Sequence, residues 1–337
     1  MKIKVFEAFS GVGAQRMAIR NLGIPHEVVG ISEIDKYAIQ SYEAIHGTVQ
    51  NFGDISKINP NELPDFDLFT YSFPCQDLSI SGQQQGLIRG QTRSGLLYEC
   101  EKIIEAKRPK YLLLENVKQL VGKKFFSKFE EWLTYLERLG YTNYWQVLNA
   151  KDYNVPQHRE RVFVVSILGD HQPYTFPQPS ILKNTLETCL SPQVEWRYFL
   201  SHAFSLNGTQ AIREQELAFP LPKEMLQDYV GIGHHPTSKK KEFRGWFDLP
   251  YAPCLIATDY KCPKTIAFKT EEANRYVVRK LTPLECWRLM GISDEDFLKV
   301  KAVGVSDTQL YKQAGNSIVV PVLEEIFSQL FKEFDKK

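Results

Sequence analysis

The stretch Asp67-Leu68-Phe69-Thr70-Tyr71-Ser72-Phe73-Pro74-Cys75-Gln76 decides the fold of this chain. Its first part is mainly apolar, as expected of a short strand that is covered on both faces in a parallel sheet. Proline ends such a strand, because it has no N–H to give to the sheet and its backbone angle is fixed. The cysteine after it is therefore presented at the carboxyl edge of the sheet, where α/β folds bind their substrates.

A second apolar run, Tyr111–Leu114, ends in the polar pair Glu115 and Asn116. The chain therefore offers a nucleophile, Cys75, and an acid, Glu115, each at the carboxyl end of a predicted core strand.

The first half of the chain alternates between strand-like and helix-like patterns, which is typical of a doubly wound α/β fold with a mostly parallel sheet. Strands are predicted at residues 3–6, 26–31, 67–72, 111–114, 145–148 and 161–168, and helices at residues 13–22, 37–45, 96–106 and 125–139.

The pattern changes near Gly169, and the residues up to about Thr270 are rich in proline, aromatic residues and clustered charge. We interpret them as part of a second, smaller and irregular domain. Thr282-Pro283 predicts a new helix, because threonine caps helices and proline suits their first turn. An amphipathic helix is predicted over residues 317–334.

Size and composition restrict the class of protein. The chain has 337 residues, a net charge of +1 and six cysteines. A surface for nucleic acid must therefore be a local basic patch. The cysteines include no CxxC pair, so neither a zinc ribbon nor a redox pair is expected, and we predict no metal site. No apolar run reaches membrane length and no leader peptide is recognisable, so we expect a cytoplasmic protein.

The turn after the first strand is a candidate cofactor site. Phe9–Gly13 contains two glycines that allow a ligand to approach the backbone and the start of a helix. Arg16 stands where a GxGxxG motif has its third glycine, which disfavours a nicotinamide dinucleotide and an oxidoreductase. Glu33 ends the second strand and can hold ribose hydroxyls. A further short strand, third in chain order, is predicted just before Asp54, whose carboxylate could then contact the edge of a base. A plain tight turn also fits the glycines, and S-adenosylmethionine fits the combination.

Taken together, these motifs resemble the cytosine-5 DNA methyltransferases of bacterial restriction-modification systems. The matching stretches occur in the family's order, and they are residues 9–13, Glu33, 54–55, 73–76, 92–96, 115–117, 157–161, 279–286 and 315–317. The resemblance implies a sequence-specific DNA cytosine-5 methyltransferase with a Rossmann-like, S-adenosylmethionine-dependent fold.

The resemblance also implies catalytic roles for four residues. Cys75 would add as a thiolate to carbon 6 of the cytosine, which makes carbon 5 able to take a methyl group. Glu115 would bind the base at N3 and the amino group, sharing a proton as charge develops. Arg161 would contact the base, supported by Arg159 and Gln157 of the same motif.

For the methyl donor S-adenosylmethionine, the resemblance implies a pocket that joins residues from both ends of the chain. The last helix must then fold back on the first strand. The implied contacts are Phe9, Gly11, Gly13, Glu33, Ile34, Asp54, Ile55, Pro74, Leu96, Asn316 and Ser317.

The target base must leave the duplex for this chemistry. The segment 76–93 resembles the mobile loop that closes over the extruded base, with Ser81 entering the vacated space and Arg93 touching phosphate. Residues 170–278 occupy the place of the family's target-recognition region. Lys240, Arg244 and Trp246 interleave charge and aromatic surface there, as phosphate contacts and stacking require. Lys261, Lys264 and Lys269 extend this basic character.

We therefore predict a catalytic domain at residues 1–172 that is completed by residues 300–337, and a small domain at residues 173–299 that reads DNA. The expected partner is double-stranded DNA, with a functional link to a restriction endonuclease, and one catalytic set per chain is consistent with a monomer. A tRNA cytosine-5 methyltransferase and a non-catalytic DNA-binding relative are the alternatives. The first of these lacks its Cys-Phe-Thr signature here, and the second would not need Cys75, Glu115 and Arg161.

Overall fold

The computed structural model describes residues 2–75, 77–78, 86, 88, 92–199, 205–206, 209–211, 229–234, 244–247, 249–269 and 275–332. Its strands are β1 (Ile3–Ala8), β2 (His26–Ser32), β3 (Leu68–Tyr71), β4 (Tyr111–Val117), β5 (Tyr141–Asn149), β6 (Gln157–His158), β7 (Glu160–Leu168), β8 (Ser205–Leu206), β9 (Thr209–Ala211), β10 (Tyr229–His234), β11 (Arg244–Phe247), β12 (Ala252–Pro253), β13 (Thr265–Lys269) and β14 (Arg275–Lys280). Its helices are α1 (Ala14–Asn21), α2 (Lys36–His46), α3 (Leu97–Lys107), α4 (Phe126–Arg138), α5 (Leu186–Cys189), α6 (Pro283–Arg288), α7 (Asp294–Ala302), α8 (Asp307–Asn316) and α9 (Val320–Leu330).

Two compact units divide the chain. The first comprises residues 1–153, 160–180 and 318–337, and the second comprises residues 154–159 and 181–317. The first unit is thus discontinuous in sequence. Residues 300–317, which the sequence analysis assigns to the catalytic domain, belong to the second unit, and so do residues 154–159.

The first unit is built on a six-stranded sheet in the order β2-β1-β3-β4-β7-β5. The four strands β2, β1, β3 and β4 are parallel, and β7 and β5 are antiparallel to their neighbours. The prediction of a mostly parallel, Rossmann-like α/β sheet is confirmed. Because the parallel strands end at one edge, Ala8, Ser32, Tyr71 and Val117 bring the loops that follow them to the same side.

Aromatic packing joins the central strands. Phe6 of β1 stacks on Phe66 with ring centroids 5.3 Å apart, and Phe69 of β3 stacks on Tyr71 at 5.1 Å. These four rings are buried in one apolar cluster with the inward faces of β4 and α3. Fully burying one such side chain contributes about 1.5–3 kcal/mol, so this cluster holds the edge at which the site residues stand.

The last helix packs against the first. Asn21 at the end of α1 donates to Glu324 of α9 at 2.7 Å, and Phe331 meets Tyr111 edge-on with ring centroids 5.3 Å apart. The carboxyl-terminal helix thus returns to the amino-terminal part of the chain, where the observed packing is on α1, whereas the resemblance implies packing on the first strand. The helix begins at Val320 rather than at Ser317, because Ser317 caps the preceding helix with extended backbone angles (φ −69°, ψ 160°).

The second unit contains a separate sheet in the order β11-β10-β13-β14-β9-β8 and a short parallel pair of β12 with β6. Its buried centre holds an ion pair between Arg279 and Glu285, whose Nη2 and Oε1 atoms lie 2.7 Å apart. Glu285 also closes a capping box with Thr282 at the start of α6, which confirms the predicted helix start. In the described part of the chain, no helix has the length and apolar character needed to cross a membrane.

Candidate active site

Hydrogen bonds from two other segments fix the backbone before Cys75. Asn116 at the end of β4 donates from Nδ2 to the carbonyl of Phe73 at 2.9 Å. Ser94 donates from Oγ to the carbonyl of Pro74 at 2.7 Å. The carbonyls of Phe73 and Pro74, just after β3, thus each accept a hydrogen bond from a side chain. A non-helical segment needs such partners because buried backbone polar groups must be hydrogen-bonded. The turn that carries the thiol is held in one conformation.

Further contacts fix the chain after the thiol. The amide of Leu78 donates to the carbonyl of Cys75 at 2.9 Å, and the buried Asp77 carboxylate accepts from the amide of Ser94 at 3.0 Å. Cys75 itself is partly buried and packs against the apolar core. The structure therefore presents the sulfur at the carboxyl edge of the sheet, as the sequence predicts.

Glu115 and Arg161 form an ion pair at the same edge. Arg161 Nε lies 3.2 Å from Glu115 Oε1, and the two side chains are 17% and 10% exposed. Arg161 also donates from Nη1 to the carbonyl of Glu160 at 2.8 Å. The pairing of β4 with β7 sets this contact, because Val117 lies opposite Arg161 and Glu115 is its diagonal neighbour on the ladder.

The glycine-rich turn is unusual in its backbone. Phe9, Gly11 and Gly13 have φ angles of 55°, 56° and 81°. For Phe9 this left-handed conformation costs on the order of 1–3 kcal/mol, and such strain concentrates at ligand-binding positions. A Cβ on Gly13 would lie 2.5 Å from His46 Nε2 and 2.7 Å from Tyr42 Cε2, whereas a Cβ on Gly11 would meet no atom within 4 Å. Open space therefore lies beside Gly11, and α1 begins directly after the turn.

Glu33 joins this turn to the end of β2. Its Oε2 accepts from the amide of Gly11 at 2.9 Å, and its Oε1 accepts from the amides of Ile34 and Asp35, both at 2.8 Å. A carboxylate has about four acceptor positions, so Oε2 keeps one for a further donor such as a ribose hydroxyl. Ile34 is 73% exposed, and this exposed apolar side chain stands directly beside the carboxylate.

Asp54 lies in the same region but does not follow a strand. An isolated bridge between Ile31 and Asn51 replaces the predicted third strand, because Asn51 uses its side chain to bind the backbone of Glu33 and Gly53. Hydrogen bonds from the amide and hydroxyl of Ser56 lower the pKa of Asp54, which keeps it an acceptor. Its neighbour Ile55 is buried in the core cluster.

The structure also shows a buried polar network that sequence reasoning missed. Tyr42 of α2 donates to Glu7 Oε2 of β1 at 2.5 Å, and Arg16 of α1 donates to the Tyr42 hydroxyl at 3.3 Å. Burial raises the pKa of Glu7 to about 7, with the Tyr42 hydrogen bond and Arg16 opposing the shift. The network lies under the glycine-rich turn, since the tilted rings of Tyr42 and His46, with centroids 4.7 Å apart, both lie close to Gly13. The sequence signal that could have revealed this network is Glu7, an acidic residue within the mainly apolar first strand.

The first three residues of the Gln-His-Arg-Glu-Arg motif, Gln157, His158 and Arg159, belong to the second unit. Arg159 is 4% exposed and donates to the carbonyls of Leu255, Gly315 and Ser317. Gln157 is buried and bridges the amide of Leu255 and the carbonyl of Leu289. Asn316 and Ser317, which are predicted to contact the methyl donor, also belong to this unit, and Asn316 is exposed whereas Ser317 is buried.

The predicted DNA contacts are only partly described. Arg93 is exposed and precedes a short 3-10 helix, Ser94–Leu96, whereas Ser81 and Lys240 lie outside the described residues. Arg244 and Trp246 stand on β11 opposite His234 and Ile232 of β10.

One lysine that the sequence analysis assigns to the basic surface is buried instead. Lys264 is 2% exposed and pairs with the buried Asp259 at 3.1 Å. Over the described parts of the chain, no group of three His, Cys, Asp or Glu side chains could hold a metal ion.

Comparison with known proteins places this geometry in context. Residues 3–332 match the family described as C-5 cytosine-specific DNA methylase. The chain is 40% identical to the Type II methyltransferase M2.ScrFI of Lactococcus lactis subsp. cremoris, an alignment that covers 98% of this chain and 99% of that protein. It is 30% identical to the Orphan methyltransferase M.SPBetaI of Bacillus phage SPbeta, over 100% and 99% of the two chains.

A solved structure supports the fold. The Dnmt2 methyltransferase of S. pombe superimposes with a TM-score of 0.70 over 99% of this chain and 100% of that chain, at 18% sequence identity. At this identity the likeness concerns the fold alone.

Proposed function

Because this chain belongs to the family of C-5 cytosine-specific DNA methylases, we propose that Cys75, Glu115 and Arg161 form the catalytic centre of a DNA cytosine-5 methyltransferase. The reaction is that of the family. The assignment of the residues rests chiefly on the ion pair between Arg161 and Glu115, which lies at the sheet edge that also presents the Cys75 sulfur.

Cys75 acts as the nucleophile. Its thiolate forms a bond to carbon 6 of the cytosine, and the electrons of the 5,6 double bond move to carbon 5. Carbon 5 would then displace the methyl group from the sulfonium sulfur of the donor, which leaves with the electron pair as a neutral thioether. After transfer, loss of the proton from carbon 5 and expulsion of the thiolate restore the aromatic ring. The turn that holds Cys75 contributes by fixing the attacking atom before the base arrives, because hydrogen bonds from Asn116 and Ser94 immobilise the preceding carbonyls.

Glu115 and Arg161 stabilise the charge that this addition creates. Glu115 binds the N3 edge and amino group of the cytosine and supplies a proton as negative charge develops on the ring. Arg161 orients that carboxyl through Nε, and a guanidinium, which carries five N–H groups, can donate to more than one acceptor. Both are mostly sheltered from solvent, where such electrostatic interactions are strongest.

The methyl donor is S-adenosylmethionine, and the residues near the glycine-rich turn fit its nucleoside. Glu33 Oε2 keeps an acceptor position for a ribose hydroxyl, and Asp54 is an acceptor for an exocyclic amino group. Phe9 and the exposed Ile34 offer apolar surface to a planar ring. The remaining proposed contacts are Gly11, Gly13, Ile55, Pro74, Leu96, Asn316 and Ser317. When bound, S-adenosylmethionine supplies an electrophilic methyl group.

DNA recognition is proposed for residues 173–299, with Arg244, Trp246 and Lys240 as candidate contacts and with Arg93 and Ser81 in the segment near Cys75. We expect the enzyme to act in the cytoplasm on the nucleoid, as a monomer, and to protect DNA from a restriction endonuclease. The 40% identity to a Type II methyltransferase supports the last expectation, and the phage relative at 30% identity is named an orphan.

The first test is base-resolution mapping of 5-methylcytosine in DNA and tRNA from a bacterial host that lacks its own cytosine methylation. We expect methylation at one short DNA motif from the intact chain and none from Cys75→Ser, which should still bind DNA. A Cys75→Ser variant with full activity would overturn the catalytic assignment. Methylation of tRNA without methylation of DNA would contradict the substrate.

A further inference from the structure

Arg159 binds three backbone carbonyls of the second unit. Nη1 donates to the carbonyl of Leu255 at 2.7 Å, and Nη2 donates to the carbonyls of Ser317 at 2.7 Å and Gly315 at 3.0 Å. The last two carbonyls stand on either side of Asn316. The planar guanidinium can join acceptors in several directions at once, which a single ammonium group cannot reproduce.

Gly315 lies directly against a second wall of this segment. A Cβ at this position would lie 2.2 Å from the carbonyl carbon of Ile256 and 2.3 Å from the amide nitrogen of Ala257. The wall is itself fixed, because the buried Asp259 accepts from the amide of Ile256 at 2.9 Å and pairs with Lys264. The glycine is therefore required by close approach, since only a residue without a side chain fits there.

Gln157 holds the other end of this arrangement. Its Oε1 accepts from the amide of Leu255 at 3.0 Å, and its Nε2 donates to the carbonyl of Leu289 at 2.7 Å. Leu255 is thus bound by Gln157 through its amide and by Arg159 through its carbonyl. The segment from Gly315 to Ser317 is anchored to a rigid part of the second unit.

We propose that Arg159 is a positioning residue for the methyl donor, because it fixes the backbone on both sides of Asn316 and so sets the geometry of the Asn316 and Ser317 contacts. This inference rests on the proposed function, which assigns those two residues to the donor. Arg161 then serves the base while Arg159 serves the donor. Arginines two positions apart in one motif have separate tasks.

The test compares donor affinity with turnover in Arg159→Lys. We expect the dissociation constant of S-adenosylhomocysteine, measured by calorimetry without DNA, to rise at least tenfold. The KM for S-adenosylmethionine should rise in parallel, with kcat at saturating donor within about threefold of the parent, as expected when ground-state and transition-state binding weaken equally. Arg159→Gln, which keeps a donor for one of the three carbonyls, is the second variant and should give the same pattern if Arg159→Lys does not fold.

Arg288→Lys is the matched control. Arg288 belongs to the same unit and also binds a backbone carbonyl, that of Cys189, but its side-chain partners are Asp294 and Ser191 rather than residues 315–317. Its replacement should leave donor affinity unchanged. Thermal unfolding of all variants separates loss of affinity from loss of fold.

Asn316→Ala distinguishes failure of the inference from failure of the proposed function. Weakened binding in Asn316→Ala together with unchanged binding in Arg159→Lys would overturn the role of Arg159. Unchanged binding in Asn316→Ala would overturn the proposed donor contact itself. A fall in kcat at saturating donor, with donor affinity intact in Arg159→Lys, would assign Arg159 to the base instead.

Discussion

One hydrogen bond links the segments that carry Glu115 and Cys75, because the Asn116 side-chain amide donates to the Phe73 carbonyl at 2.9 Å. Asn116 follows Glu115 in β4, and Phe73 stands two residues before Cys75. The bond crosses from the end of β4 to the turn after β3 in the buried part of the site. It therefore helps to set the separation of Cys75 and Glu115, the proposed nucleophile and acid, before any substrate binds.

Replacement of this donor should cost activity more than stability. Asn116→Asp keeps the oxygen that accepts from the amide of Val117 but removes the N–H that the Phe73 carbonyl needs. An unsatisfied buried carbonyl costs about 1–3 kcal/mol of unfolding free energy. A small displacement of the turn should lower kcat about 100-fold, since misplacement of reacting groups by about 1 Å has that effect.

Asn143→Asp is a suitable control for this experiment. Asn143 of β5 also donates from Nδ2 to a carbonyl, that of Leu133, at 3.0 Å. Its loss should lower the melting temperature comparably while kcat stays near the parent value. Equal losses of kcat in the two variants would show that general destabilisation explains the effect.

The Arg161–Glu115 pair should behave as one unit in a double-mutant cycle. Arg161→Met and Glu115→Gln each break the ion pair at 3.2 Å, and each should lower kcat by a factor of about 100 to 1,000. Once one partner is gone, the second replacement should cost much less, because residues that act together are not additive. Pre-steady-state kinetics of DNA methylation measure the rate of methyl transfer directly. If the losses of kcat in the two variants were strictly additive, Arg161 and Glu115 would act independently, which would contradict this prediction.

The glycines of the cofactor turn should differ in how they tolerate a methyl group. Gly11→Ala introduces only the left-handed backbone cost, about 1 kcal/mol, because no atom lies within 4 Å of the new Cβ. Gly13→Ala adds a contact of 2.7 Å with the buried ring of Tyr42. Calorimetry with S-adenosylhomocysteine and chemical denaturation should show the larger loss of stability for Gly13→Ala. Equal losses in the two variants would contradict the proposed packing of the turn.

Sequence patterns predicted the elements whose signal is local. The apolar run before Pro74 and the run before Glu115 became β3 and β4, and the apolar run after Arg161 became β7, at whose start Arg161 stands. The contacts of Arg159 were not predictable, because its partners Gly315 and Ser317 lie more than 150 positions away in sequence. No periodicity reports such pairing.

Predictions from local sequence were wrong where a side-chain contact determined the structure. The strand expected before Asp54 is absent from the described residues there, because the Asn51 side chain binds backbone groups that a strand would have paired. Lys264 was interpreted as surface charge, and burial beside Asp259 reversed that interpretation. In both cases a tertiary contact overrides the preference that composition suggests.

The buried carboxyl of Glu7 should make stability depend on pH. Burial raises the pKa of Glu7 to about 7 from an ordinary value of 4.5, so the folded chain retains a proton that the unfolded chain releases. Stability is then greatest below the unfolded pKa, falls as the pH rises from about 4.5 to about 7, and levels off above it. The loss amounts to about 3 kcal/mol, at roughly 1.4 kcal/mol per pKa unit.

Glu7→Gln should remove this dependence while keeping an acceptor for the Tyr42 hydroxyl, which now donates at 2.5 Å. Arg16 and His46 face the same site, so urea denaturation of both proteins at several pH values isolates the contribution of Glu7 as a difference. We expect the variant to gain stability relative to the parent between pH 5 and pH 8. Tyr42→Phe should act in the opposite sense, because the carboxylate then loses its donor and becomes costlier to bury as the pH rises. A difference between Glu7→Gln and the parent that does not change with pH would mean that Glu7 keeps the same charge throughout this range.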